Sequence, residues 1–149
     1  MSSAQDLRLF LDRSSNSKRL AQALRDMGTD VVTIGERYGV KPAETVKDVR
    51  WLSEASSEGR ICVGADSSIL KNELEIAAVL ESSARYLLYP NNNLSARQQI
   101  ERFQGLLPEM LPLIDRPGPW AYKMTPDGLL EVPEAVLRKR LEDRKRRRE

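Results

Sequence analysis

The sequence has 149 residues, of which 40% are hydrophobic and 31% charged, and its formal net charge is +2. A chain of this length can bury a core of its own, and we expect one domain. Because the sequence contains no histidine, Ser-His and Cys-His nucleophile mechanisms and histidine-containing zinc sites are excluded. Any catalysis must therefore use carboxylates, hydroxyls, lysine or arginine, and any metal would be a hard cation bound by oxygen.

No stretch of the sequence predicts export or membrane insertion. The N-terminal Met1–Asp6 lacks the basic and apolar regions of a signal peptide. No apolar run approaches the roughly 18 residues of a membrane span. The single cysteine, Cys62, lies inside an apolar run, which predicts a small core residue rather than a nucleophile. We expect a cytoplasmic protein.

The first half of the chain predicts strands that alternate with helices. Short apolar or β-branched runs indicate the strands, and apolar residues three or four positions apart indicate the helices. A strand–helix–strand succession of about 30 residues has the size of a βαβ unit. The predicted elements are a strand at Leu7–Leu11, a helix over Leu20–Met27 that Gly28 ends, a strand at Val31–Ile34, a loop at Arg37–Lys47, and a helix from Asp48 to Gly59.

The central apolar run Ile61–Val63 lies between Gly59 and Gly64. A run this short between glycines is typical of a strand buried on both faces of a parallel sheet. The remaining elements are predicted on the same grounds. They are a helix around Leu74–Leu80, a strand at Tyr86–Tyr89, a helix over Leu94–Leu113, a hairpin of Trp120–Met124 with Leu129–Val132, and a charged helix from Pro133 that we expect to project or fray, since it has few apolar positions.

The charge of the chain is unevenly distributed. The last segment, Arg138–Glu149, contains eight lysines and arginines and three acids, so the rest of the chain carries a net charge of about −3. A mildly acidic body with a basic tail is compatible with a polyanionic partner. The alternative interpretation of the tail is a solvated, partly helical charged terminus.

Three predicted strands are followed by an acid: Leu11 by Asp12, the second strand by Glu36, and the central strand by Asp66. Asp48 stands where a helix begins. Ligands bind beyond the carboxyl ends of parallel strands, and neighbouring strands lie about 4.8 Å apart, so these acids could share one metal-sized space. A divalent cation such as Mg²⁺ or Mn²⁺ would relieve their mutual repulsion. The alternatives are that Asp48 is a simple helix cap and Glu36 a solvated loop residue.

Several short segments carry a family resemblance, which extends over roughly residues 8–132. The Asp-x-x-Trp and Arg-Pro-Gly-Pro elements are the most specific of them. The segments are Phe10-Leu-Asp12, Glu36-Arg-Tyr-Gly39, Asp48-Val-Arg-Trp51, Val63-Gly-Ala-Asp66, Glu75-Ile-Ala-Ala78, Arg116-Pro-Gly-Pro-Trp120 and Asp127-Gly128. On these segments the chain resembles the PIN-like nucleases, particularly the toxin-type branch of bacterial toxin–antitoxin pairs.

The resemblance implies a fold of the α/β class. We expect a single PIN-like three-layer α/β/α sandwich on a mainly parallel sheet, with a C-terminal hairpin and a basic tail. The PIN-like domain would cover residues 1–137 and the tail residues 138–149. By the same resemblance the protein would be an Mg²⁺- or Mn²⁺-dependent endoribonuclease, inhibited by a cognate antitoxin protein and able to form a homodimer.

The resemblance also assigns site residues. The catalytic residues would be Asp12, Asp48, Asp66 and Glu36, and the first three would bind the metal. Candidate RNA contacts are Arg13, Lys71, Arg144, Lys145, Arg146 and Arg147. The family usually has a basic stretch around the third acid, whereas Lys71 is the nearest cation after Asp66 in this chain, which predicts weaker attraction of phosphate there. The competing hypothesis is a catalytically weakened or inactive PIN-like scaffold that binds RNA or a protein. A third hypothesis is a different metal-dependent phosphoesterase on a similar sheet.

Overall fold

The structure is a computed structural model. It describes residues 3–12, 15, 17–39, 41, 48–65, 70, 72–91 and 93–148, with the backbone alone at 48 and 148. The helices and strands follow the predicted order, with one additional short helix at Ile34–Tyr38. They are β1 (Arg8–Leu11), α1 (Lys18–Asp26), β2 (Asp30–Thr33), α2 (Ile34–Tyr38), α3 (Asp48–Ser57), β3 (Ile61–Gly64), α4 (Glu73–Glu81), β4 (Arg85–Leu88), α5 (Ala96–Met110), β5 (Trp120–Thr125), β6 (Gly128–Val132) and α6 (Glu134–Arg148).

The six strands form one sheet in the order β2-β1-β3-β4-β5-β6. All neighbouring pairs are parallel except β5 and β6, which form the antiparallel C-terminal hairpin. Leu11 at the end of β1 pairs with Thr33 of β2 and with Val63 of β3. The carboxyl ends of these three strands therefore meet at one edge of the sheet, and the predicted α/β class with a mainly parallel sheet is confirmed.

Helices cover both faces of the sheet and enclose two buried clusters. Side chains alternate along β1, so that Leu9 and Leu11 lie in the cluster beneath α1 and α5, whereas Phe10 lies in the cluster beneath α3, α4 and α6. Cys62 belongs to the second cluster and is fully buried. Burial raises the pKa of its thiol, an effect that the charge of Asp12 reinforces. The prediction that Cys62 is a core residue is confirmed.

The second strand ends earlier than the sequence predicts. Ile34 begins α2 instead of ending β2, and Arg37 lies in this short helix instead of a loop. The cause is a capping box, in which the Thr33 hydroxyl accepts the backbone N–H of Glu36 while the Glu36 carboxylate accepts the backbone N–H of Thr33. The β-branched run Val31–Ile34 obscured this helix start, because Thr33 has both strand propensity and capping ability.

The first half of α6 packs on the domain, so the expectation that this helix projects is wrong there. Leu137 is fully buried, and Leu141, one turn further, packs against the same cluster. The guanidinium of Arg140 donates to the carbonyl oxygen of Leu70 at 3.1 Å. Two apolar side chains four positions apart form one contact face, which is enough to attach this highly charged helix. The predicted boundary between the domain and the tail, between residues 137 and 138, falls inside α6.

Within the ranges that the structure describes, no helix combines the length and apolar character needed to cross a membrane.

Candidate active site

Asp12 directly follows β1 and lies at the carboxyl edge of the sheet. Its backbone N–H donates to the carbonyl oxygen of Val63 at 3.0 Å and so continues the pairing of β1 with β3 beyond Leu11. The side chain is only 7% exposed, and its Oδ2 accepts a hydrogen bond from the hydroxyl of the fully buried Tyr86. Burying a carboxylate is costly unless it is hydrogen-bonded, and a bond to an ionised group is among the stronger ones. Tyr86 therefore helps to hold the buried carboxylate of Asp12 in place.

The contact between Asp12 and Tyr86 depends on a glycine in the strand between them. Gly64 ends β3, which lies between β1 and β4. A Cβ atom at residue 64 would lie 2.4 Å from Oδ2 of Asp12 and 3.1 Å from Cε1 of Tyr86. Only a residue without a side chain leaves room for the carboxylate and the ring to meet over this strand.

An aromatic cluster of Phe10, Trp51 and Tyr86 packs next to this contact. Trp51 stacks on Phe10 with ring centroids 5.5 Å apart, and its ring meets that of Tyr86 edge-on at 6.2 Å. Trp51 lies one turn after Asp48, the first residue of α3. This packing anchors the first turn of α3 against β1 and β4.

Ser15 is a polar residue that the sequence analysis did not single out. Its backbone N–H donates to the carbonyl oxygen of Asp12 at 3.0 Å, and its side chain is 2% exposed. Among the described residues, its hydroxyl oxygen finds no hydrogen-bond partner. The sequence signal was slight, since Ser15 is one of three serines in a polar stretch. Another of them, Ser17, caps α1 by accepting the N–H of Leu20. Ser15 is therefore a buried hydroxyl, three positions after Asp12, that the described residues leave without a partner.

Several predicted site residues cannot be placed next to Asp12. Asp66, Arg13 and Lys71 lie outside the described residues, and Asp48 is described by its backbone alone. In sequence, Asp66 follows the end of β3 by two residues. No group of three cysteine or acidic side chains that could hold a metal occurs in the described part of the chain. The carboxylate of Asp12 is an oxygen donor of the type that Mg²⁺ and Mn²⁺ prefer.

Glu36 has a different environment from Asp12. Its two carboxylate oxygens lie 2.7 and 2.8 Å from Nη2 of Arg25 in α1, and its Oε1 accepts the backbone N–H of Thr33 at 2.8 Å. Burial raises the pKa of Glu36, but the Thr33 hydrogen bond and the nearby Arg25 outweigh it, so the pKa is lowered. These contacts direct the carboxylate towards α1, whereas the carboxylate of Asp12 faces Tyr86 on the other side of the sheet.

Glu36→Gln is expected to reduce the free energy of unfolding by about 0.5 kcal/mol at pH 7. Gln can still accept the Thr33 N–H, but it loses the charge opposite Arg25, and a half-exposed ion pair of this kind contributes little. Since the folded state lowers the pKa of Glu36, its contribution is present above the unfolded value near 4.5 and disappears as the pH falls through the folded value. Urea titrations from pH 7 to pH 3 should show the two proteins converging. A difference in free energy of unfolding that persists at pH 3 would show that the effect does not come from the charge of Glu36.

The predicted basic residues at the C-terminus are exposed on the last turns of α6. Arg144 and Arg147 line a cavity of about 470 Å³, together with Asn72, Glu73 and Leu74 at the start of α4. The structure thus places these two cations next to α4, the helix that follows β3 and the 65–72 connection.

Comparisons with known proteins agree with this arrangement. Residues 7–91 match the family model described as "PIN like domain", a range that contains Asp12, Gly64 and Tyr86. A protein of Mycobacterium tuberculosis named "Putative ribonuclease VapC45" is 31% identical over 124 residues, which are 83% of this chain and 90% of that protein. Comparison with solved structures gives no significant match. The chain belongs to the PIN-like domain family.

Proposed function

We propose that the protein is a divalent-metal-dependent endoribonuclease that acts as the toxin of a toxin–antitoxin pair in the cytoplasm. One observation carries this proposal: a buried carboxylate, Asp12, is hydrogen-bonded by Tyr86 at the edge where β1 and β3 end. The relative that is named as a ribonuclease aligns over 83% of the chain, which supports RNA as the substrate. By resemblance to the toxin-type branch, the partner would be a cognate antitoxin protein.

The residues that would hold the metal are Asp12, Asp48 and Asp66. Asp12 follows β1 directly, Asp66 follows β3 by two residues in sequence, and Asp48 opens α3. When bound, Mg²⁺ or Mn²⁺ would supply positive charge and a bound water that loses a proton more readily than bulk water does. Glu36 is a weaker candidate, because its described contacts are with Arg25 and Thr33.

The residues around Asp12 orient this carboxylate and exclude water from beneath it. Tyr86 holds Oδ2, Gly64 leaves room for the contact, and Trp51 closes the space below with Phe10. A carboxylate fixed in this way need not reorganise during the reaction, which is the property that electrostatic catalysis requires.

Metal removal tests the proposal. Purified protein is incubated with a mixed pool of RNA and Mn²⁺, Mg²⁺ or EDTA, and the Asp12→Asn/Asp66→Asn double variant serves as the matched control. We expect cleavage with Mn²⁺ or Mg²⁺, none above background in EDTA, and none with the double variant, because the metal would lose two of its three charged ligands.

Equal background from both proteins would overturn the nuclease proposal in favour of an inactive scaffold that binds RNA or a protein. The native mass of the protein, measured on the same preparation, would test the expected homodimer.

A further inference from the structure

The topology of the hairpin brings the end of α6 to the catalytic edge of the sheet. β5 runs parallel to β4, and β6 runs back antiparallel to β5, so β6 ends at the amino edge. The helix α6 begins two residues later. Its attachment through Leu137, and then through Arg140 to Leu70, directs it back towards the carboxyl edge.

The last turns of α6 lie beside the start of α4. Arg144 and Arg147 share one face of α6, three positions apart, and line the 470 Å³ cavity with Asn72, Glu73 and Leu74. Since α4 follows the carboxyl end of β3, both arginines lie at the edge of the sheet where Asp12 is found. Lys145 and Arg146, on the same turn, do not line this cavity.

The cations of this turn are unpaired in the described part of the chain. Arg138, earlier in α6, forms an ion pair with Glu134 at 2.7 Å, whereas Arg144, Lys145, Arg146 and Arg147 form no ion pair or hydrogen bond with any described residue. Like charges this close repel one another. The carboxylate of Glu73 at the cavity is a single negative charge against two guanidinium groups.

The arginines, and not the helix N-terminus of α4, provide the attraction for an anion here. The backbone N–H groups of Leu74 and Glu75 already donate to Oδ1 of Asn72. Guanidinium groups bind phosphate oxygens through paired hydrogen bonds. Leu74, which is 74% exposed at the same cavity, offers an apolar surface to a base adjoining a bound phosphate.

We propose that Arg144 and Arg147 form a subsite for the phosphate backbone of single-stranded RNA, flanking the acidic site. The proposal rests on the proposed function for the identity of the substrate. It places two cations at the start of α4, although both come from the other end of the chain.

A matched pair of double variants tests the subsite. R144Q/R147Q and K145Q/R146Q each remove two positive charges from the same exposed turn, but only the first pair lines the cavity. Binding of a fluorescently labelled single-stranded RNA of 20 nucleotides is measured by anisotropy in EDTA, so that the result does not depend on cleavage. Unchanged circular dichroism and thermal midpoints confirm that both variants fold.

R144Q/R147Q is expected to weaken RNA binding about 10-fold near 0.1 M salt, and to reduce the slope of log K against log salt by about 1.4, since each lost phosphate contact removes about 0.7 for a single strand. K145Q/R146Q should weaken binding only about 2-fold. Equal losses from the two pairs would overturn the subsite in favour of diffuse attraction, and unchanged binding in both would exclude contact with α6.

A labelled oligoglutamate peptide of the same length is the control for an acidic protein partner. If R144Q/R147Q loses the peptide but keeps RNA, the surface binds protein and the proposal is wrong. Cleavage by these variants is scored separately at low RNA concentration, where R144Q/R147Q should lower kcat/KM in proportion to its loss of affinity. If the protein binds RNA normally but never cleaves it, the nuclease proposal is wrong and the subsite proposal is retained.

Discussion

Asp12→Asn is expected to reduce the single-turnover rate of RNA cleavage by at least about 10²–10³-fold, the scale on which single charge-stabilising groups act. The substitution removes a negative charge at the point where β1 and β3 end, while the side chain keeps its shape. An amide oxygen can still accept the hydrogen bond that Tyr86 donates to Oδ2. The free energy of unfolding should therefore change by no more than about 1 kcal/mol.

Tyr86→Phe is the graded control for this experiment. It removes the hydroxyl that positions Asp12 but keeps the carboxylate and the ring that meets Trp51. A residue that acts through a metal ligand costs about 10–100-fold when it is lost, so the order of rates should be wild type, Tyr86→Phe and then Asp12→Asn. Mn²⁺ binding, followed by electron paramagnetic resonance, should weaken in the same order. Full cleavage by Asp12→Asn would make Asp12 a structural residue and place the site elsewhere.

The sequence predicted those parts of the fold that depend on local patterns. The apolar run Ile61–Val63 between glycines gave a buried central strand, and Gly28, with a φ of +96°, ends the turn after α1. The order of strands and helices, the parallel sheet and the hairpin are all confirmed. One exception was the start of α2, where the capping box of Thr33 and Glu36 competes with a strand-like run. The other was α6, whose first half packs on the domain through Leu137 instead of projecting.

The parts of the site that were missed depend on contacts between distant residues. Asp12 is separated from Tyr86 by 74 positions, and Tyr86 has the pattern of an ordinary strand residue. Neither the role of Gly64 nor the buried hydroxyl of Ser15 can be recognised until β1, β3 and β4 are adjacent. The alternation of apolar residues shows which face of the sheet a side chain occupies, but it does not show which residues that side chain will contact.

The basic C-terminus shows that the position of a charge in space, like a side-chain contact, cannot be read from its position in the sequence. Read along the chain, few cations follow Asp66, and the charged segment lies more than 70 positions away. The antiparallel β6 reverses the chain, and the packing of Leu137 and the bond from Arg140 to Leu70 orient α6 along α4. Charge that is remote in sequence therefore lies beside the start of α4 in space.

Gly64→Ala is expected to have the second largest effect on cleavage, although it adds a single methyl group and changes no charge. The new Cβ would lie 2.4 Å from Oδ2 of Asp12 and 3.1 Å from the ring of Tyr86. Both side chains are buried, so one of them must shift. A misplacement of about 1 Å can cost about 10²-fold in rate, and overpacking a well-filled core costs about 1–3 kcal/mol.

Gly105→Ala provides the matched control. Gly105 lies in α5, where a Cβ would meet nothing within 4 Å, so the same chemical change should stabilise the protein by about 0.5–1 kcal/mol and leave cleavage unchanged. Urea titration and single-turnover cleavage are measured on both variants. If Gly64→Ala cleaves RNA and binds Mn²⁺ like the wild type, the hydrogen bond across β3 does not position Asp12. If it loses both while it remains folded, the absence of a side chain at residue 64 is a requirement of the active site.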